Sequence, residues 1–125
     1  MPAHEKIDYA PHSMYGADEF YDGCRQLFLF SPEPEEEITP LDALIQLEDL
    51  GFRGIVFPEL VSFAANWPEE PLGYSILALA SVGRFGGMSV LPALSCTASG
   101  RGLMPIPSNT RMNYTNHRYL TTARL

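Results

Sequence analysis

The sequence predicts an α+β fold, or a small α/β one: a mixed sheet carrying two to three helices. Three observations predict it. Residues 26–30 and 52–57 are compact apolar runs, closed by Ser31-Pro32 and by Pro58, as buried strands are. The stretch between them has the caps and apolar side of a helix, so residues 26–57 have the length of a β-α-β unit. Near the C-terminus, residues 111–115 and 118–124 flank Asn116-His117. Asn tolerates positive φ, and this predicts a C-terminal β-hairpin. The chain has 125 residues with no internal repeat and no boundary in composition, so residues 1–125 are expected to form a single domain.

In chain order, residues 1–16 are broken by Pro2, Pro11 and Gly16 and read as irregular. Residues 17–25 fit a short helix that turns Phe20, Tyr21 and Cys24 inward. The strand at 26–30 follows. Residues 31–38 hold two prolines with Glu33, Glu35, Glu36 and Glu37, a solvated connector and the densest negative patch of the chain. Thr39 then caps a helix, with Pro40 at its first position and Asp42 in the first turn, where the dipole favours an anion. Leu41, Leu44, Ile45 and Leu47 supply its apolar side and Gly51 its end. If the strands on either side run parallel, the crossover is right-handed.

Beyond Pro58 the pattern is weaker. Residues 74–82 are rich in Ala and Leu, which favours a helix ending at Gly83; a strand paired across residues 83–87 with residues 88–95 is the alternative. Residues 88–95 are strand-like, with Pro92 pointing to an edge or a bulge. Residues 96–110, rich in Gly, Ser and Pro, read as a polar connection.

Charge is divided along the chain. All fifteen acidic residues lie within positions 1–70 with three bases, a balance of −12. The rest carries Arg84, Arg101, Arg111, Arg118 and Arg124 and no acid, a balance of +5 that restores the net −7. Two explanations compete: attraction between the halves within the fold, each surface pair contributing about 0–1 kcal/mol, or patches of one sign offered to different partners. Arginine forms forked hydrogen bonds to carboxylate and phosphate and stacks on planar groups, which favours a site over mere solubility.

Several chemistries lack their signatures. There is no Gly-x-Ser-x-Gly elbow, Walker loop or dinucleotide fingerprint. His4, His12 and His117 form no His-x-x-x-His pair, and Cys24 and Cys96 are expected to be reduced and packed. No catalytic residue, metal or cofactor is therefore assigned, and an enzyme is disfavoured. The N-terminus has neither a basic region nor an apolar core, so a secretory leader is not expected. No run approaches the ~20 apolar residues of a membrane span, and the expected compartment is the cytoplasm.

The expected function is that of a non-enzymatic, small acidic binding protein. Glu33, Glu35, Glu36 and Glu37 would dock on a basic protein partner, nucleic-acid-binding proteins being one class of candidate. In size and charge alone the chain resembles small acidic inhibitors, many encoded by phages, that occupy such sites. The alternative is a binding protein or small enzyme for a nucleotide or other phosphorylated ligand. Glycines around Arg84 and Arg101 let backbone N–H groups converge on an anion. Arg111, Arg118, Asn113 and Tyr114 would complete that site. Direct nucleic-acid binding by Arg interleaved with Tyr114, Tyr119 and His117 is opposed by the net negative charge.

Overall fold

The computed structural model describes residues 4–7, 14–22, 25–69, 73–97 and 100–123. Its described strands form a nine-stranded mixed sheet and a separate two-stranded ribbon, with two helices. The α+β class is as the sequence predicts.

The sheet begins with an antiparallel meander, β1 (His4–Ile7), β2 (Met14–Asp22) and β3 (Arg25–Pro32). The last strand of the chain, β11 (His117–Ala123), lies against β3 and runs antiparallel to it. The other edge of β11 is shared by β5 (Phe52–Gly54, antiparallel) and β6 (Ser75–Leu77, parallel). Strand β8 (Met88–Thr97) follows β6 and also pairs with the short β7 (Gly83–Phe85) and with β9 (Gly100–Pro107). The separate ribbon joins β4 (Glu37–Ile38) to β10 (Met112–Asn113).

Helix α1 (Pro40–Asp49) forms where its signals predict. The Asp42 N–H donates to the Thr39 hydroxyl at 3.3 Å, and Gly51 takes φ +85° just beyond the helix. Helix α2 (Phe57–Asn66) is held to β5 by an ion pair: Arg53 donates to both oxygens of Glu59, at 2.9 and 2.8 Å. Glu59 Oε1 also accepts the Val56 N–H at the helix start, at 2.9 Å.

The helices cover opposite faces of the sheet. Ala43 and Leu47 of α1 pack with Phe28, Phe30, Leu77 and Tyr119; Leu60 and Phe63 of α2 pack with Leu27, Leu29, Ile76 and Leu120. With both faces buried, the central strands read as unbroken apolar runs rather than alternating ones. The β-α-β expectation acquires a third member. Strands β3 and β5 both run antiparallel to β11 and lie on its two edges, so they are parallel to each other with β11 between them.

Six local expectations are corrected. Residues 14–22 are a strand, not a helix within 17–25, and His4–Ile7 is a strand in a stretch read as irregular. The strand expected over 52–57 stops at Gly54, and Phe57 begins α2. Residues 74–82 form no helix. Their apolar run is β6, buried between β11 and β8, and it pairs with residues 93–94 as the alternative expects; residues 83–85, read there as part of the turn, pair with 88–90. The stretch read as a polar connection contains β9. Finally, residues 111–115 and 118–124 do not pair as a hairpin. Both edges of β11 are already taken, so residues 112–113 pair with β4 instead. His12, Cys24 and Arg124 lie outside the described residues.

Candidate functional site

The β4–β10 ribbon brings the two charge halves into contact. Opposite Glu37 in the ribbon stands Asn113, and the Arg111 guanidinium donates to the Glu37 carboxylate at 2.9 Å. Around this pair lies an open cleft of about 660 Å³. Glu35, Glu36 and Glu37 form one wall, and Arg111, Asn113 and Tyr114 the other. The acidic wall is a tight turn: Glu36 N–H donates to the Glu33 carbonyl at 3.2 Å, and Glu35 takes φ +71°. Glu35, Glu36 and Glu37 are exposed and Glu33 is half-buried.

The basic wall is built by side-chain bonds to its own backbone. Asn113 Oδ1 accepts the Asn116 N–H at 2.9 Å, and the Asn113 N–H donates to His117 Nδ1 at 3.1 Å. The Asn116 carbonyl accepts from Ser75 N–H at 2.8 Å, which ties the turn to β6. Arg118 closes it. Its guanidinium donates to the Tyr114 carbonyl and, at 2.8 Å, to that of His117. It is also layered between the rings of Tyr74 and Tyr114, 4.5 and 4.6 Å from their centroids. Such stacking stabilises a cation by about 0.5–2 kcal/mol. Arg118 is thus engaged in holding the turn. Burial, and then the neighbouring Arg118 charge, hold the His117 pKa below its ordinary value. The ring is kept neutral, as its role as acceptor for Asn113 N–H requires.

The remaining two arginines of the expected ligand site stand apart from this cleft. Arg84 lies on the β7–β8 hairpin, opposite Ser89, and donates to the Gly87 carbonyl at 3.4 Å. Arg101 lies on β9, opposite Cys96, and donates to the Trp67 carbonyl at 3.1 Å. Ser89 and Cys96 are seven residues apart on one strand, about 23 Å at 3.3 Å per residue. The structure therefore gathers Glu35, Glu36 and Glu37 with Arg111, Asn113 and Tyr114. Arg118 is placed behind Tyr114, while Arg84 and Arg101 stand elsewhere. Carboxylates line the same cleft as Arg111, and they repel an anionic ligand.

Among the described residues, no three His, Cys, Asp or Glu side chains are grouped to hold a metal, and no helix is long and apolar enough to cross a membrane. Sequence reasoning missed an apolar groove of about 390 Å³ between the start of α2 and strands β7–β9. One signal was present. Phe85 and Met88 flank Gly86-Gly87, and a solvent-exposed hairpin tip ordinarily carries polar residues there. No protein-family model, curated protein or solved structure matches this chain significantly.

Proposed function

We propose that the chain is a non-enzymatic binding protein that docks its acidic connector on a basic protein partner. One observation carries this reading: Glu35 and Glu36 are exposed on a tight turn that the β4–β10 ribbon anchors to the sheet. A turn anchored in this way presents its carboxylates with little further loss of entropy on binding. Among the described residues, Glu37 is the one carboxylate of this wall that is ion-paired, to Arg111. The acidic wall attracts a basic surface over a distance set by ionic strength. The phosphorylated-ligand reading has weaker support, because its four arginines are dispersed.

The test compares the wild type with the triple variant Glu35→Gln, Glu36→Gln, Glu37→Gln in affinity capture from a host extract over a salt series. The expected result is a basic protein retained by the wild type at low salt, released as salt rises and lost from the variant. An identical retained set for both chains overturns the proposal. Calorimetry with a nucleotide panel on wild type, Arg111→Ala and Arg118→Ala tests the alternative, which requires heat in the wild type that the variants lose.

A further inference from the structure

Helix α1 turns part of its apolar side to solvent. The run Leu41, Leu44, Ile45 and Leu47 predicts one buried stripe, but the sheet takes a different arc of the helix. Pro40, Ala43 and Leu47 are buried, with Leu44 half-buried beside them. Leu41 and Ile45 are 64% and 49% exposed. At about 100° per residue, these two stand one turn apart in the middle of the outer face. Glu48 flanks them on one side, and Asp42 and Asp49 on the other; all three acids are exposed.

This face works against the free chain in three ways. Leu41 and Ile45 expose apolar surface side by side, where single exposed residues would be ordinary. Ile45 is also β-branched, a weaker helix former than straight-chain residues, and its exposure returns little in packing. Glu48 and Asp49 sit at the end of the helix where the dipole is negative, and no basic residue stands in that last turn. One kind of neighbour relieves all three: apolar side chains over Leu41 and Ile45, with cations beside them. The local charge has one sign. Residues 26–52 hold seven acids and no Lys or Arg. Arg53, which follows, donates to both oxygens of Glu59, and Arg111 is engaged with Glu37. Exposed Glu35 and Glu36 precede the apolar pair in the chain, and Glu48 and Asp49 follow it.

We infer that the outer face of α1 docks a basic, amphipathic helical segment of the protein partner. Its apolar residues, one turn apart, cover Leu41 and Ile45. Its Lys or Arg side chains meet Glu48 and Asp49 at the negative end of the helix dipole. This deepens the proposed function and rests on its reading of a basic partner. The connector attracts at a distance, and α1 supplies the apolar contact that holds the complex. Two copies packed through this face would oppose Asp42, Glu48 and Asp49 without counter-charge, and an anionic bilayer would repel the same acids.

The test pans a displayed library of random twelve-residue peptides against the full chain, then measures the enriched peptide by fluorescence anisotropy over a salt series. The expected consensus has two apolar residues three or four apart, with Lys or Arg beside them. Leu41→Gln with Ile45→Gln should weaken binding at least tenfold at every salt concentration. Glu48→Gln with Asp49→Asn should weaken it about tenfold at low salt and less at high salt. Thermal unfolding separates docking from folding: neither double variant should lower Tm by more than about 5 °C. A larger fall in either assigns those side chains to the fold and overturns the inference. A consensus without bases also overturns it, as does binding that survives Leu41→Gln with Ile45→Gln. The connector triple variant separates the two readings. Binding lost in that variant alone leaves the proposed function standing and overturns this inference. Binding lost in the α1 variants alone upholds this inference and removes the connector from recognition. Two other results overturn it: a concentration-dependent dimer that depends on Leu41 and Ile45, which assigns the face to a second copy, and sedimentation with phosphatidylcholine vesicles with the same dependence, which assigns it to a bilayer.

Discussion

The Arg111 guanidinium donates to the Glu37 carboxylate at 2.9 Å, across 74 positions of sequence. This ion pair joins the basic tail to the acidic part of the chain. Both side chains are well exposed, at 73% and 50%, so solvent screens their attraction. A double-mutant cycle with Arg111→Ala and Glu37→Gln, read by urea unfolding, should give a coupling of about 0–1 kcal/mol. A coupling above about 2 kcal/mol would mean that the ribbon depends on the pair far more than its exposure implies.

His117 should titrate below its ordinary range. Burial, followed by the Arg118 charge, lowers its pKa in the folded chain. The contribution to stability is therefore complete above the unfolded value, about 6.5, and is lost as pH falls through the folded value. His117→Gln should lessen the loss of stability between neutral and mildly acidic pH. Proton NMR titration checks the premise directly; a folded-state value at or above 6.5 would contradict it.

Tyr119 is fully buried, and its hydroxyl has no hydrogen-bond partner among the described residues. Burial raises its pKa well above the ordinary 10. Its contribution is complete below about pH 10 and is lost as pH rises beyond that. Tyr119→Phe removes the hydroxyl while keeping the ring beside Phe30. Stability at neutral pH should be unchanged or higher by about 1 kcal/mol, and the decline above pH 10 should be smaller. A loss of 2 kcal/mol or more in urea unfolding would show that the hydroxyl has a partner.

Two glycines should fail for different reasons. A Cβ on Gly54 would lie 3.0 Å from Leu79 Cβ, and 3.1 Å from both Ala80 N and Leu44 Cδ1. Gly54→Ala should cost about 1–3 kcal/mol through overpacking. Gly51 has open space but φ +85°, so Gly51→Ala should cost about 1 kcal/mol through backbone strain. Gly51→Asn should recover part of that second loss, because Asn tolerates the left-handed region, whereas Gly54→Asn should recover nothing. Thermal unfolding of the four variants separates the mechanisms.

Much of the fold is legible in local sequence where local forces decide. The cap at Thr39, the proline at position 40 and the stop at Gly51 act within a few residues, and α1 forms between them. Strand β3 is legible because an apolar run closed by Ser-Pro has few other uses. Residues 74–82 are not legible in the same way, because a strand buried on both faces loses its alternation and looks like a buried helix. The site is legible by halves. Charge counting finds the acidic connector and the arginines, but not that Arg111 meets Glu37 while Arg84 and Arg101 stand elsewhere. Nor does composition expose the groove, whose Val82, Val90 and Leu103 resemble core residues until the reach of α2 is known.

By itself the sequence determined the α+β class, the position of α1, the strand at 26–30 and the division of charge. These depend on capping, periodicity and composition, which need no distant partner. Tertiary structure decided the pairing. It placed residues 117–123 in the middle of the sheet, with β3 on one edge and β5 and β6 on the other. That occupancy denied residues 111–115 their expected neighbour and sent 112–113 to β4, where Arg111 found Glu37. A strand has two edges and accepts whichever partners best bury both faces of the sheet, and that competition is settled only when the whole chain is folded.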